Sequence, residues 1–183
     1  MPTSPRAFLF QLILAALALP ALGVAQTPGT TLGKPDVVII AAGMPSPQQS
    51  MLLTTARGFY RFWNTNDDQT LKRVLSPRFM DRNLPDGRPQ GPTGPSFANT
   101  QFHQAVPDLH CEVTQQIIAG DRVVSNLRFT GHFTGTFGEL HGSGQTVDFV
   151  ATDILRIESG KVTDNWHLED NLTFQQQIGV IKK

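Results

Sequence analysis

The chain has 183 residues, 15 Lys+Arg against 15 Asp+Glu, and a single cysteine, with 39% hydrophobic and 16% charged residues. That length suits one globular domain with a core of its own, and the balanced charge argues against a nucleic-acid binder, which needs a basic stripe. One cysteine excludes an intrachain disulfide, a Cys-x-x-Cys redox pair and a multi-cysteine zinc site, and no phosphate-binding glycine motif supports nucleotide chemistry.

In chain order, the first feature is Arg6 followed by the apolar run of residues 7–19 and the small residues of Gly23-Val24-Ala25. A short positive start, an apolar run short for a bilayer and a small-residue exit predict a secretory signal peptide over residues 1–25, the alternative being an uncleaved membrane anchor. Its loss removes one charge, Arg6, and leaves 158 residues with 14 Lys+Arg against 15 Asp+Glu. The expected location is secreted or periplasmic, with no stable membrane span after cleavage. In an oxidising compartment Cys111 then has no chain partner and reads as a small buried hydrophobe.

Residues 26–47 are rich in Pro and Gly and read as an arm, with the Val37–Ala42 run either an edge strand or a packing strap. The folded domain is expected over 48–183. Leu52, Ala56, Phe59, Tyr60 and Trp63 recur at helical spacing from about Ser50, so a first helix buries one face. Asp67 or Asp68 can cap a short second helix through Leu71, Val74 and Leu75, which Pro77 stops. Residues 81–95 form a Pro- and Gly-rich structured loop. A third helix runs from about Ser96 to Ala105, with Phe97 and Phe102 as core contacts, and Pro107 breaks it.

From Leu109 onward the pattern alternates like sheet, in four stretches over 109–119, 121–134, 145–157 and 161–170, with tight turns at Gly120 and Gly160. Helices followed by antiparallel strands give an α+β layout. Alternation also sorts polar residues by face. Val147, Phe149, Ala151, Leu155 and Ile157 share a parity with Asp153, and Val162, Trp166 and Leu168 share one with Asp164 and Asp170. Asp153 and Asp170 are therefore expected on the apolar faces of their strands. A carboxyl group there has a raised pKa and can serve as a general acid/base, or else it marks a strand end or is paired with an arginine such as Arg128 or Arg156. Val124, Asn126, Arg128, Thr130 and His132 share a polar face that meets either solvent or a wet cavity, where His132 can carry a proton or donate a hydrogen bond. The five histidines match no compact ligand set, so no metal is expected.

Several segments together resemble one family. Gly91-Pro92-Thr93-Gly94 with Phe102 to Leu109, the Gly120-Asp121-Arg122-Val123-Val124 hairpin, and Thr130-Gly131-His132-Phe133-Thr134-Gly135 resemble the ordered motifs of the SnoaL-like polyketide (ester) cyclases. Trp166-His167-Leu168-Glu169-Asp170 is similar to that family's Trp-x-x-x-Asp signature, and Gln177-Ile178-Gly179 to its closing segment. The resemblance spans about 48–179. It implies a cone-shaped α+β barrel of the nuclear transport factor 2-like kind, with three N-terminal helices packed on a curved, mainly antiparallel sheet around one pocket. It also implies a cofactor-free, metal-free aldol-type cyclase, isomerase or dehydratase acting on a small carbonyl compound. Asp170 would be the general acid/base, with His132 as donor, and Trp166, Arg128, Asp153 and Phe149 would shape the substrate wall. The alternative is a non-catalytic secreted binding protein for a small hydrophobic ligand. A homodimer is the assembly the family suggests.

Overall fold

The computed structural model describes residues 32–182. The expected signal segment, its cleavage point and the first part of the arm lie outside the described residues. Eight strands and four helices follow in order. Strand β1 (Val37–Ile40) precedes helix α1 (Ser46–Thr65), helix α2 (Asp68–Val74) and strand β2 (Leu75–Asp81). Helix α3 (Gly94–Ala105) leads into β3 (His110–Ala119), β4 (Arg122–Phe133), the small strands β5 (Thr136–Phe137) and β6 (Leu140–His141), then β7 (Gln145–Glu158) and β8 (Lys161–Glu169). Helix α4 (Asn171–Ile178) ends the fold.

The main sheet has the order β1-β3-β4-β7-β8-β2. Its four long central strands are antiparallel, and the edge strands β1 and β2 add parallel to β3 and β8. The α+β expectation of helices on a curved, mainly antiparallel sheet holds. It differs from the sequence reading in detail. Val37–Ile40 is an edge strand. Leu75 opens strand β2 instead of continuing the second helix, and Pro77 fits there because an edge strand can spare one N–H. A fourth helix follows the last strand.

Local chemistry explains the helix boundaries. Helix α1 ends at Asn66, whose left-handed backbone (φ 50°) and N–H to the Phe62 carbonyl close the last turn. Asp67 then caps α2 by accepting from the Gln69 N–H. The end of α1 is tied to the sheet by Asn64, which donates to the Cys111 carbonyl at 2.9 Å and accepts from the Cys111 N–H at 2.6 Å. Cys111 itself is buried, as expected.

The concave face carries the core. Val123, Ser125, Leu127 and Phe129 of β4, and Val147, Phe149, Ala151, Asp153, Leu155 and Ile157 of β7, are buried on the face that the helices cover. An aromatic stack crosses this core, with Phe149 parallel to Phe129 at 5.2 Å and Phe102 and Phe174 closing over it. Phe97 departs from the expectation of a core contact. The buried stripe of α3 runs through Pro95, Ala98, Asn99 and Ala105, and Phe97 falls beside it, 44% exposed.

The β5–β6 hairpin docks onto the end of α3, where the Gly135 N–H donates to the Ala105 carbonyl at 3.0 Å. A Cβ at Gly135 would collide with the Gln104 carbonyl oxygen. This close approach holds Phe137 against Phe174, with ring centroids 5.6 Å apart. Gly135→Ala is therefore expected to lower stability by about 1–3 kcal/mol, the usual cost of overpacking. Chemical denaturation of the variant against the parent chain measures it.

Candidate active site

The floor of the concave face is made where β7 and β8 pair. Asp153 lies opposite His167, Leu155 opposite Asn165, and Ala151 opposite Glu169, and directly opposed residues share a face. The Asn165, His167 and Glu169 side chains therefore point inward with Asp153. The alternation read from sequence had placed them outward. Between Val162 and Asp164 the strand carries one extra residue, Thr163, against a single step from Ile157 to Arg156 on β7. A bulge of this kind exchanges the two faces for everything beyond it.

The bulge corrects several expectations together. Trp166 points outward, under the guanidinium groups of Arg122 and Arg82 at 5.3 and 6.0 Å. Leu168 is 74% exposed. Asp170 lies beyond the strand altogether, at the N-cap of α4, where it accepts from the Thr173 N–H at 3.0 Å and the Thr173 hydroxyl at 2.7 Å. Those hydrogen bonds hold its carboxyl below the usual carboxylate range, the opposite of the raised pKa expected for a carboxyl against apolar walls.

The polar face of β4 meets solvent. His132 is exposed and held by Asp108, whose carboxylate accepts from its backbone N–H and bonds its ring Nδ1, both at 2.7 Å. Arg128 forms a two-pronged surface pair with Asp148 at 2.8 and 2.6 Å. Neither reaches the interior. Asp153 and Phe149 do, each 2% exposed.

What the interior gathers is a line of charged groups. Asp153 Oδ1 accepts from His167 Nδ1 at 2.6 Å and from Asn165 Nδ2 at 3.0 Å. The other ring nitrogen of His167, Nε2, donates to Glu169 Oε2 at 3.1 Å. Burial alone would push the imidazole pKa down. The charge and hydrogen bond of Asp153, joined by those of Glu169, overcome this and raise it to about 10. At neutral pH His167 is thus an imidazolium with both N–H groups committed. Tyr60 lies fully buried at the far side of Asp153, and burial, then the Asp153 charge, keep its phenol protonated.

Glu169 brings this line to a cleft of about 390 Å³. Its walls are Phe97, Phe102, Phe137 and Phe174, with Gln101, Asn171 and Gln175 as polar neighbours and Arg88 at one side. Arg88 also borders a small inner void of about 20 Å³ beside Asp153, His167 and Trp63. Among the described residues no group of His, Cys, Asp and Glu has the arrangement of a metal site. Sequence reasoning had passed over His167 and Glu169. Both stood within the Trp-x-x-x-Asp segment, but only the bulge reveals which face they occupy.

The geometry carries a pH dependence with a definite sign. The His167 pKa is higher in the folded state than its ordinary 6.5, so the stabilisation is complete below about pH 6.5 and is lost as pH rises through about 10. Thermal unfolding between pH 6 and 10.5 should show a falling melting temperature that His167→Gln flattens. At pH 7, Asp153→Asn should cost about 3–5 kcal/mol, because it leaves a buried charge without its main partner.

The family model for SnoaL-like polyketide cyclase matches residues 54–178. No curated protein matches the chain. Among solved structures, a protein of Bacillus cereus ATCC 10987 assigned to the polyketide cyclases is 37% identical, with a TM-score of 0.73 over 82% of this chain and 95% of its own. A SnoaL-like protein of Jannaschia sp. CCS1 (21% identity, TM-score 0.65, 75% of this chain and 98% of its own) shares the fold. So does TsrD of Streptomyces laurentii (23%, 0.63, 75% and 99%). With the helices, the sheet order and the enclosed polar floor described above, these matches show that the chain belongs to the SnoaL-like polyketide cyclase family.

Proposed function

We propose that the chain is a general acid/base enzyme that deprotonates a carbon between two carbonyl groups of a small apolar substrate and closes a ring by an intramolecular aldol step. The observation that supports this best is Glu169, a carboxylate set in an aromatic-walled cleft and oriented from behind by a buried imidazolium. His167 donates to Oε2 only, so Oε1 is left for the substrate. The imidazolium cannot be the base, since its proton is held by a pKa of about 10.

In this reading Glu169 Oε1 takes the acidic C–H proton and the electron pair moves onto a carbonyl oxygen as an enolate. The enolate carbon then attacks a second carbonyl of the same molecule, a C–C bond forms, and the resulting alkoxide recovers the proton from Glu169. Gln101 and Gln175 carry amide N–H groups along the same cleft that can hold the developing oxyanion. The steps are proton transfers and one bond formation, which ask for a carboxylate and donors and for no electron carrier. The four phenylalanine walls favour a flat apolar substrate and exclude water from the enolate.

Export belongs to the same proposal. Residues 1–25 read as a signal peptide, and this supports a secreted or periplasmic location for the mature enzyme.

Glu169→Gln should reduce turnover of a 1,3-dicarbonyl substrate by about 10²–10⁴, the usual worth of a positioned base. Asp170→Asn, which preserves the cap of α4, should leave turnover close to the parent value. Deuterium exchange at the central carbon, followed by NMR with the full-length chain, reads both. Equal loss in the two variants, or none in Glu169→Gln, would overturn the assignment. Binding of the dicarbonyl without exchange above the solvent rate would instead support a non-catalytic carrier.

A further inference from the structure

Arg88 is a cation at the cleft that the protein pairs only loosely, with Asp81. Its side chain is only 14% exposed, yet among the described residues it makes no side-chain hydrogen bond. Its nearest carboxylate, Asp81, stands 3.9 Å away, outside hydrogen-bond reach. A guanidinium carries five N–H donors in a planar fork, and at Arg88 they border the cleft with no protein hydrogen bond to occupy them. Such a group can take an acceptor that enters the cleft.

The loop around it is built for that purpose. Gln90 locks the loop to β2 twice, accepting from the Asp81 N–H at 2.9 Å and donating to the Asp81 carbonyl at 2.9 Å. The Arg88 N–H closes a turn on the Pro85 carbonyl at 3.2 Å. At the start of α3, Gly94 lets the loop lie close: an added Cβ would stand 2.6 Å from the Pro89 carbonyl oxygen and 3.9 Å from Arg88 Cδ. Arg88 is thus presented by a braced loop at the junction of the outer cleft and the inner void.

From this geometry we infer that Arg88 recognises a planar two-oxygen anion on the ligand, either the delocalised enolate of a 1,3-dicarbonyl or a carboxylate, attached to an apolar body of ring size. The fork of a guanidinium matches two coplanar oxygens with parallel N–H···O bonds, a fit that an ammonium lacks. The rest of the ligand lies along Phe97, Phe137 and Phe174, in a cleft whose volume suits a molecule of about one or two rings. This deepens the proposed function by naming its substrate class, and it rests on the same cleft. It assigns Arg88 to binding and leaves the proton step with Glu169.

Equilibrium binding to the full-length chain, read by tryptophan fluorescence, tests it with three probes: 2-naphthoate, 1-phenyl-1,3-butanedione at a pH where it is ionised, and neutral 2-naphthamide. The parent chain should prefer at least one of the two anions to the amide. Arg88→Met should weaken that anion by about ten- to hundredfold while the amide binds as before, and Arg88→Lys should recover only part of the loss. A preference confined to the dione identifies the enolate as the recognised group, and one confined to naphthoate identifies a carboxylate. No preference for either anion in the parent chain, or a preference that survives Arg88→Met, would overturn the inference. Glu169→Gln should retain the anion preference, so failure of the proton-transfer reading and failure of this one give different results. A melting curve for each variant checks that it is folded.

Discussion

One extra residue in strand β8 governs what this fold can do. Opposite the single step from Ile157 to Arg156, β8 advances two residues, from Val162 to Asp164, and Thr163 is left without a partner. Beyond that point the faces of the strand are exchanged. Val162 packs in the core before the bulge, and Asn165, His167 and Glu169 turn inward after it, while Trp166 and Leu168 turn out. A regular strand would place tryptophan and leucine over the core and histidine and glutamate in solvent. That arrangement is an ordinary β-sheet wall. The bulge converts it into a floor of ionisable groups, and the rest of the interior is organised around accommodating them.

Those groups are expensive to enclose. Two carboxylates and one imidazolium leave a local excess of negative charge in a region lined by phenylalanine, and buried ion pairs seldom repay their desolvation in stability. The hydrogen-bond geometry offsets part of the cost. Asp153 accepts from both His167 and Asn165, and each ring nitrogen of His167 has its own carboxylate. The arrangement is graded from inside to outside. Asp153 sits at the deep end beside Tyr60, His167 in the middle, and Glu169 where the cleft opens. Arg88 supplies positive charge at the same mouth, on a loop that Gln90 and Gly94 hold rigid. A cluster with this much unoffset cost is better explained by what it does to a ligand than by what it adds to the fold.

The fold was largely legible in the sequence because it follows from periodicity. Helical spacing of Leu52, Ala56, Phe59 and Trp63, and alternation from His110 to Glu169, act over many residues and survive local irregularities. The inward parity of Asp153 and Phe149 was correct for the same reason, since β7 pairs with β4 without a break. The site was legible only as far as the first irregularity. No residue type announces a bulge at Thr163, and counting by twos through it sent Trp166 and Asp170 to the wrong face. His132 and Arg128 failed differently. Their shared polar face was read correctly, but alternation alone cannot say whether such a face meets solvent or a cavity. Helix α4 escaped notice because the strand reading ran through Asp170, the residue that caps it, and β2 because Pro77 reads as a stop in the absence of its edge position.

The Trp-x-x-x-Asp segment that carried the family resemblance acquires a physical meaning in this arrangement, though not the one its aspartate first suggested. Asp170 ends the strand and starts α4 by binding the Thr173 N–H, and it does so as a carboxylate held ionised by those bonds. Helix α4 in turn supplies Asn171, Phe174 and Gln175 to the cleft, directly after Glu169 on the floor. The cap therefore sets the angle between floor and wall. Trp166 does the corresponding work on the outside, where it lies under Arg82 and Arg122, and Arg82 reaches on to the buried Asp164 carboxylate just past the bulge. The two ends of the segment thus fix the strand's path while Glu169, between them, reaches the cleft. For the proposed proton transfer, the imidazolium is locked between two carboxylates, which leaves the role to the carboxylate at the cleft.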